Sequence, residues 1–551
     1  MTDQFREAIS QTNFSALDWG IVVAYLMISV VIGLLVKKYA STMAAYIGAG
    51  RGVGTWLGIA TMTGTELGLI TVMYNAELGY KDGFASFHIG VVFGVMTLII
   101  GLSGFIVGPL RRERVLTIPE YYEKRYGKSV RVTGAIILSL AGILNMGVFL
   151  NIGSKFIVGI TGINPDAMAV PIVMTLLLVI VLFYTVLGGM ISVIITDYIQ
   201  FVVLSFGMIA TTLFAINKLG LETIISTVET QMVSGFNPVS SNSDFGVSYV
   251  TFTIVMALMT CAVWPTMVAR ALVMESEKAV RKQYTWSSIS MTMRMVIPAF
   301  WGICAFAFMH QVTNQDAGDY FLRTVKTAEE VVADENGKGQ SPDDQVVASS
   351  ESEYFAYNEH PNAAYAMPVF LGRILPMGLI GVITAAMIAA FMSTHDSYLL
   401  CWSSVIVQDI IAPLKREPIS VKGRITLTRV FVVVIGVFVW AWGLFYEGDD
   451  RIWDYLAVTG SVYFTGAAVI LAGGLYWKRA STVGAMAGLL MGATAILGME
   501  DIRVLINEAL NTSLIAPQVS LISISLSITT FVVLSLLFPG QPTADEEAEV
   551  V

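Results

Sequence analysis

This sequence is poor in charge. Only 13% of its 551 residues are Asp, Glu, Lys or Arg, against about 25% in an ordinary soluble domain. With 55% hydrophobic residues and a mean hydropathy of +0.71, the shortage excludes a solvated globular chain and points to a polytopic membrane protein. Cysteine is scarcer still. Cys261, Cys304 and Cys401 all fall inside apolar segments, which excludes a disulfide framework or zinc-type spacing and leaves them as small hydrophobes in helices. No nucleophile–base pairing, phosphate loop or metal-ligand spacing is present, so an enzyme is not expected, nor an organic cofactor, nor a nucleic-acid partner. The first 15 residues, MTDQFREAISQTNFS, are polar and do not read as a cleavable signal.

What the sequence has in quantity is long apolar runs. About thirteen reach the ~20 residues a membrane helix needs: 17–37, 54–79, 84–110, 131–160, 168–188, 190–217, 247–272, 285–311, 377–410, 425–446, 453–476, 480–498 and 517–538. Basic residues cluster after alternate runs: Lys37, Lys38 and Arg51 after the first, RRERVLTIPEYYEKRYGKSVR after the third, EKAVRK after the seventh, KREPISVKGR after the ninth, and Lys478 and Arg479 after the eleventh. Those loops share one side, which the positive-inside rule makes cytoplasmic. The expected protein is therefore a multi-pass inner (plasma) membrane protein with its N-terminus (1–16) outside and its acidic tail (539–551) inside. An insertion at 312–364 carries eleven acids against three basic residues and reads as a solvated or partly disordered external lid.

Polar residues inside the runs are the functional signal, because a charge at the bilayer centre costs about 2.5–3.5 kcal/mol on insertion scales. In AAFMSTHDS (389–397), Ala390, Ser393, Thr394 and Ser397 repeat at i, i+3, i+4, i+7 and share one helical face. Hydroxyls turned the same way beside Asp396 suit a hard monovalent cation, although such hydroxyls can also bond back to their own helix. The run GTWLGIATMTGTELGLITVMYNAELGYKDG is interrupted by glycine and threonine near Glu66. Broken helices with freed carbonyls are how secondary transporters build midplane sites. Pro265 in CAVWPTMVAR is a second break candidate. Asp197 and Arg294 also lie within spans. Arg294 has Asp197, Glu66, Asp396 or a lipid headgroup as possible partners. His88 and His310 read as structural, and Asn145 and Asn151 as interhelical glue.

Four stretches then carry a resemblance. GRGVGTWLGIATMTG with NAELGYKDG, LTIPEYYEKRYGKSVR, YTVLGGMISVIITDYIQ and GLIGVITAAMIAAFMSTHDS resemble, in order, the signature segments of the sodium/solute symporter family. The resemblance runs from about residue 17 to 480. It implies an all-α, LeuT-type core of five plus five inverted-repeat helices (54–217 and 247–476, the second including the acidic external loop), one accessory helix before it (17–37) and two after (480–538). It also implies sodium-driven import of a small solute by alternating access.

Carried over residue by residue, the resemblance places a central sodium at the carbonyls of Gly64, Leu67 and Ala390 and the hydroxyls of Ser393 and Thr394. A second ion, held in some members, would fall at Asp197, Ser393, Asp396 and Ser397. Asp396 stands where those members usually carry a hydroxyl. Glu66 aligns with an acid of the proline-transporting branch, and the TMT containing Thr63 with the choline-transporting branch. Glu66, Thr63 and Trp264 therefore suggest a zwitterion or cation of amino acid, betaine or choline type, through charge and cation–π contact. A sugar or monocarboxylate symporter, a transporter-fold sensor and a channel-like uniporter are the alternatives. Neither oligomeric state nor solute identity follows from the residues, and a monomer suffices.

Overall fold

Lipid cannot hydrogen-bond a backbone, so the spanning structure must satisfy its own N–H and C=O groups. The computed structural model describes residues 3–36, 52–164, 168–240, 243, 245–311, 363–445 and 451–539, together with three short strands in the insertion. Regular structure there is helical apart from those strands, Lys326–Thr327, Val347–Ala348 and Glu353–Phe355, which pair antiparallel with the third in the middle. The rest of the expected lid, Lys37, Lys38, Arg51 and the tail from 540 lie outside the described residues.

The helices that matter for function are α1 (Ala16–Val36), α2 (Thr55–Glu66), α3 (Leu69–Asp82), α4 (Phe87–Ser103), α5 (Lys128–Met146), α6 (Phe149–Thr161), α7 (Ala169–Leu219), α8 (Gly246–Val263), α9 (Pro265–Leu272), α10 (Glu277–Met309), α11 (Leu379–Val405), α12 (Val421–Phe445) and α13 (Ile452–Tyr476). Among the described residues nine helical segments are long and apolar enough to cross a membrane, or ten if Thr482–Gly498 and Glu500–Leu510, bent by 89°, count as one span. The thirteen expected spans are redrawn in two places. Those at 168–188 and 190–217 share one stretch of helical backbone, the 51-residue α7, in which Ala169–Phe183 and Ile194–Leu219 remain distinct apolar segments. The twelfth, 480–498, ends at the 89° bend, beyond which Glu500–Leu510 has no buried residue.

Both halves open on a broken helix. Between α2 and α3 the chain passes through Leu67 (φ −90°, ψ 71°) and Gly68 (φ −85°, ψ 161°). Between α8 and α9 it turns at Trp264 (φ −62°, ψ 123°), the extended conformation that Pro265 imposes on its predecessor. Helix α10 begins at Glu277, eight residues before the expected 285, so Arg294 sits near its middle.

Hydrophobic burial contributes little between helices in lipid, so close packing of small residues takes over. Helix α10 packs backbone to backbone on α3: a Cβ at Gly79 would lie 1.9 Å from the Ala299 carbonyl, and one at Gly302 1.9 Å from that of Ala76. The opposite pattern marks the lipid face. Val202, Phe206, Ile209 and Leu213 of α7 are exposed at helical spacing. Asn145 donates to Leu456 O and Thr459 Oγ1, and Asn151 to Gly443 O, so both tie helices together as expected. His88 and His310 each bond a nearby backbone carbonyl of their own segment.

The basic loops meet at one end of the bundle. Arg111 donates to Met274 O, Arg112 pairs with Glu277, Arg131 pairs with Asp409 at 2.7 Å, and Arg125 donates to the Lys478 carbonyl. At the other end Asn13 donates to Arg373 O, Arg373 to Ala8 O, and the Asp18 carboxylate accepts from the N–H groups of Gly378 and Gly381, fastening α1 to the start of α11.

Gly302→Val should collapse the yield of monodisperse protein in detergent. Gly20→Val, where nothing lies within 4 Å, should leave it unchanged. Size-exclusion chromatography of both reads the difference.

Candidate functional site

A helix that stops mid-membrane leaves its last carbonyls without N–H partners. At the end of α2 these are Gly64, Thr65 and Glu66, and each accepts from a side chain. Ser393 Oγ donates to Gly64 O at 3.0 Å and lies 3.1 Å from Ala390 O. Thr394 Oγ1 donates to Thr65 O at 3.2 Å. Thr71 Oγ1 at 3.2 Å and Arg294 Nη1 both reach Glu66 O. Helix α11 is thus sewn to the break by two adjacent hydroxyls, and Gly68 is glycine because a Cβ there would lie 2.3 Å from Thr394 Oγ1. Leu67 donates its own N–H to Thr63 O at 2.8 Å, closing the final turn. Ser393, Ala390 and Gly64 are buried, as are Thr394, Leu67 and Glu66.

Beside this seam lies a buried ion pair. Of the possible partners of Arg294, the structure selects Glu66: Arg294 Nη1 stands 3.5 Å from Glu66 Oε2 while also reaching the Glu66 carbonyl. Glu66 Oε1 accepts from Thr266 Oγ1 of α9 at 2.7 Å. Thr63 Oγ1 shares a 2.8 Å hydrogen bond with Ser290 Oγ of α10. Glu66 and Thr63 therefore join the break in α2–α3 to both the second broken helix and α10. Trp264, at that second break, donates its indole N–H to Tyr398 OH at 3.0 Å and packs edge-on against Trp402 with ring centres 6.0 Å apart. Phe149 closes the same aromatic group against Tyr398.

Of the four residues grouped by resemblance as a second ion site, three, Asp197, Ser397 and Asp396, fall in one hydrogen-bonded cluster with an arginine. Ser393 faces Gly64 and Ala390, whereas Asp197 and Ser397 face Arg270, a residue the sequence reading did not single out. Arg270 Nη2 lies 3.3 Å from Asp197 Oδ2 and donates to Ser397 Oγ at 2.7 Å; its Nε donates to Thr65 Oγ1 at 3.0 Å. Asp197 Oδ2 also accepts from Thr61 at 2.6 Å and Thr65 at 3.1 Å. Ser397 Oγ donates a hydrogen bond to Asp396 Oδ1 at 3.2 Å. Arg270, Asp197 and Asp396 are all at most 1% exposed. In sequence, Arg270 lies two residues from the end of the run 247–272, where a basic residue reads as an interfacial anchor; in the structure it sits in the last turn of α9 and is buried. His395 bonds the Phe391 carbonyl and stacks on its ring, a structural role.

Against known proteins, the chain matches the sodium:solute symporter family over residues 46–333 and 346–492. It is 24% identical over 504 residues to the sodium/proline symporter of Haemophilus influenzae, covering 87% of each chain. It is 23% identical over 508 residues to sodium/glucose cotransporter 1 of Oryctolagus cuniculus, covering 87% of this chain and 71% of that one. Among solved structures, a Na+-coupled sialic acid symporter in a substrate-bound, outward-open state superposes with a TM-score of 0.72 at 18% identity, over 96% of this chain and 100% of the other. That superposition shows the shared LeuT-type fold. With the family's match running through both broken helices and α11, this multi-pass membrane protein belongs to the sodium:solute symporter family.

Proposed function

We propose that the chain imports a small organic solute together with sodium by alternating access. The observation that carries this reading is the seam of Ser393 and Thr394 against the freed carbonyls of α2. A sodium ion coordinated by the carbonyls of Gly64, Leu67 and Ala390 and the hydroxyls of Ser393 and Thr394 would replace those hydroxyl–carbonyl hydrogen bonds with stronger ion–dipole contacts. Binding then tightens α2 against α11, and release returns the hydroxyls to the weaker bonds and lets the helices part. Sodium enters and leaves as cargo, and the protein contributes the oxygen cage and the two helices it joins. The basic end of the bundle, where Arg111, Arg112, Arg125 and Arg131 gather, faces the cytoplasm, which puts the N-terminus outside.

For the solute we propose a zwitterion of amino acid or betaine type. A buried pair of opposite charges, Glu66 and Arg294, meets at the break, 3.5 Å apart and only loosely engaged. A ligand carrying both an ammonium and a carboxylate satisfies both without leaving either uncompensated. A choline-like cation would use Glu66 alone and leave Arg294 unmatched, which supports the zwitterion reading. Trp264 and Thr63 border the same break. The sodium/proline symporter among its relatives acts on an amino acid, which fits this reading. A monocarboxylate is the second reading, supported by Arg294 Nε, which is buried without a hydrogen-bond partner.

Ser393→Ala or Thr394→Ala should raise the sodium concentration for half-maximal uptake about tenfold, the equivalent of one lost ligand of about 1.4 kcal/mol; a sodium dependence equal to wild type would reject the cage. Glu66→Gln should weaken solutes bearing an ammonium more than those bearing only a carboxylate. Thermal-shift titration of amino acids, betaine, choline, sugars and carboxylates, each in sodium and in a large inert cation, reads both effects, because binding to the folded state raises its apparent stability.

A further inference from the structure

Between the hydroxyl seam and the basic end of the bundle the packing is incomplete. A cavity of about 40 Å³ lies where α9, α11 and the loop segment 116–119 meet. Val268 and Ala269 of α9, Leu400 and Cys401 of α11 and Leu138 of α5 give it mainly apolar walls. Such a void offers too few polar partners to hold water, and the side chains around it forgo the dispersion contacts of a filled interior. Ser404 Oγ lines the same void, buried and without a hydrogen-bond partner among the described residues.

The two sides of the void are held differently. The α11 side is braced. Past the end of α11, in a π-helical turn (Ile406–Ile411), Asp409 Oδ1 accepts from Thr117 at 3.0 Å and from Arg131 Nε at 2.9 Å. Arg131 Nη2 donates to Gln408 O at 3.0 Å, and Arg424 Nη1 to Gln408 Oε1 at 2.9 Å. Segment 116–119 and the end of α11 therefore form one wall. The α9 side is an eight-residue helix that hangs from the extended backbone at Trp264. Its side chains bond to α2 through Glu66 and Thr65 and to α7 through Asp197, and Arg270 ties it to Ser397 of α11 at 2.7 Å.

We infer that this void is the cytoplasmic gate: α9, turning at Trp264, parts from the wall of α11 and segment 116–119 because an underfilled seam costs least to separate. This rests on the alternating-access reading above and locates its inward-opening step. Loss of sodium weakens the hydroxyl seam at Ser393 and Thr394, and the next layer toward the basic end is the underpacked one. Opening admits water, which gives Ser404 the partner it lacks when closed. The void is thus a packing defect with a use: filling it favours the closed state, and enlarging it favours the open one.

The test is hydrogen–deuterium exchange of the purified full-length protein in lipid nanodiscs, without sodium and with it. Without sodium, Cys401→Met and Ala269→Val should slow exchange in 265–272 about fivefold, the weight of the contacts missing from a void of this size. Ser404→Ala should act in the same direction, and Val268→Ala should speed exchange there by a similar factor. Exchange in α13 should stay at the wild-type rate in all four, because a general change in stability would move both regions together. No local change in monodisperse protein, or one shared equally with α13, would overturn the gate. If Cys401→Met does not fold, Ala269→Val and Ser404→Ala decide. The broader reading fails differently: sodium should slow exchange in 265–272 of wild type, and a rate indifferent to sodium, with the variants still acting locally, would reject sodium coupling and keep the gate.

Discussion

Everything at the centre of this molecule depends on a backbone that stops being helical where no water can repair it. Unsatisfied carbonyls in hydrocarbon cost several kcal/mol each, so the last turn of α2 has to be completed by something from outside. The protein completes it with side chains from helices distant in sequence: Ser393 and Thr394 from α11 and Arg294 from α10. The break is thereby a three-way junction. Any ligand that competes for those carbonyls competes with the contacts that hold the helices together, and that is the physical basis of coupling in such an arrangement.

The buried charges follow from the same junction. Two arginines and the carboxylates they meet lie within a single interhelical layer, each cation donating to an acid and to a backbone or hydroxyl oxygen as well. Removing one partner of such a pair leaves a buried charge uncompensated, which costs far more than the pair itself contributes. The two pairs differ in engagement. Arg294 touches Glu66 at 3.5 Å and spends its closer contact on a carbonyl, whereas Arg270 is fully enclosed by Ser397, Thr65 and Asp197.

Much of this was legible beforehand. The polar residues of AAFMSTHDS had one helical face in common, and the face they share is the one that meets α2. Glycine and threonine around Glu66 announced the break, and Pro265 announced the second, because proline dictates both its own φ and its neighbour's conformation. Three-dimensional pairing was not legible. Nothing in the spacing of Asp197, Glu66, Asp396 and Arg294 says which acid meets which arginine, and Arg270 looked like an ordinary basic residue at the end of an apolar run. Span boundaries were least legible where composition is uniform: with apolar residues on both sides of Gly188 and Gly189, the helical backbone of α7 runs through the expected boundary while its two apolar segments remain distinct.

The enclosure of Arg270 has a thermodynamic consequence. A membrane potential does net work only on charge that crosses and is released; a charge bound to the protein returns with it on each cycle. One elementary charge moving through 100 mV is worth about 2.3 kcal/mol, roughly a fiftyfold concentration ratio, and the Arg270 guanidinium, covalently held and at most 1% exposed, adds nothing to that work.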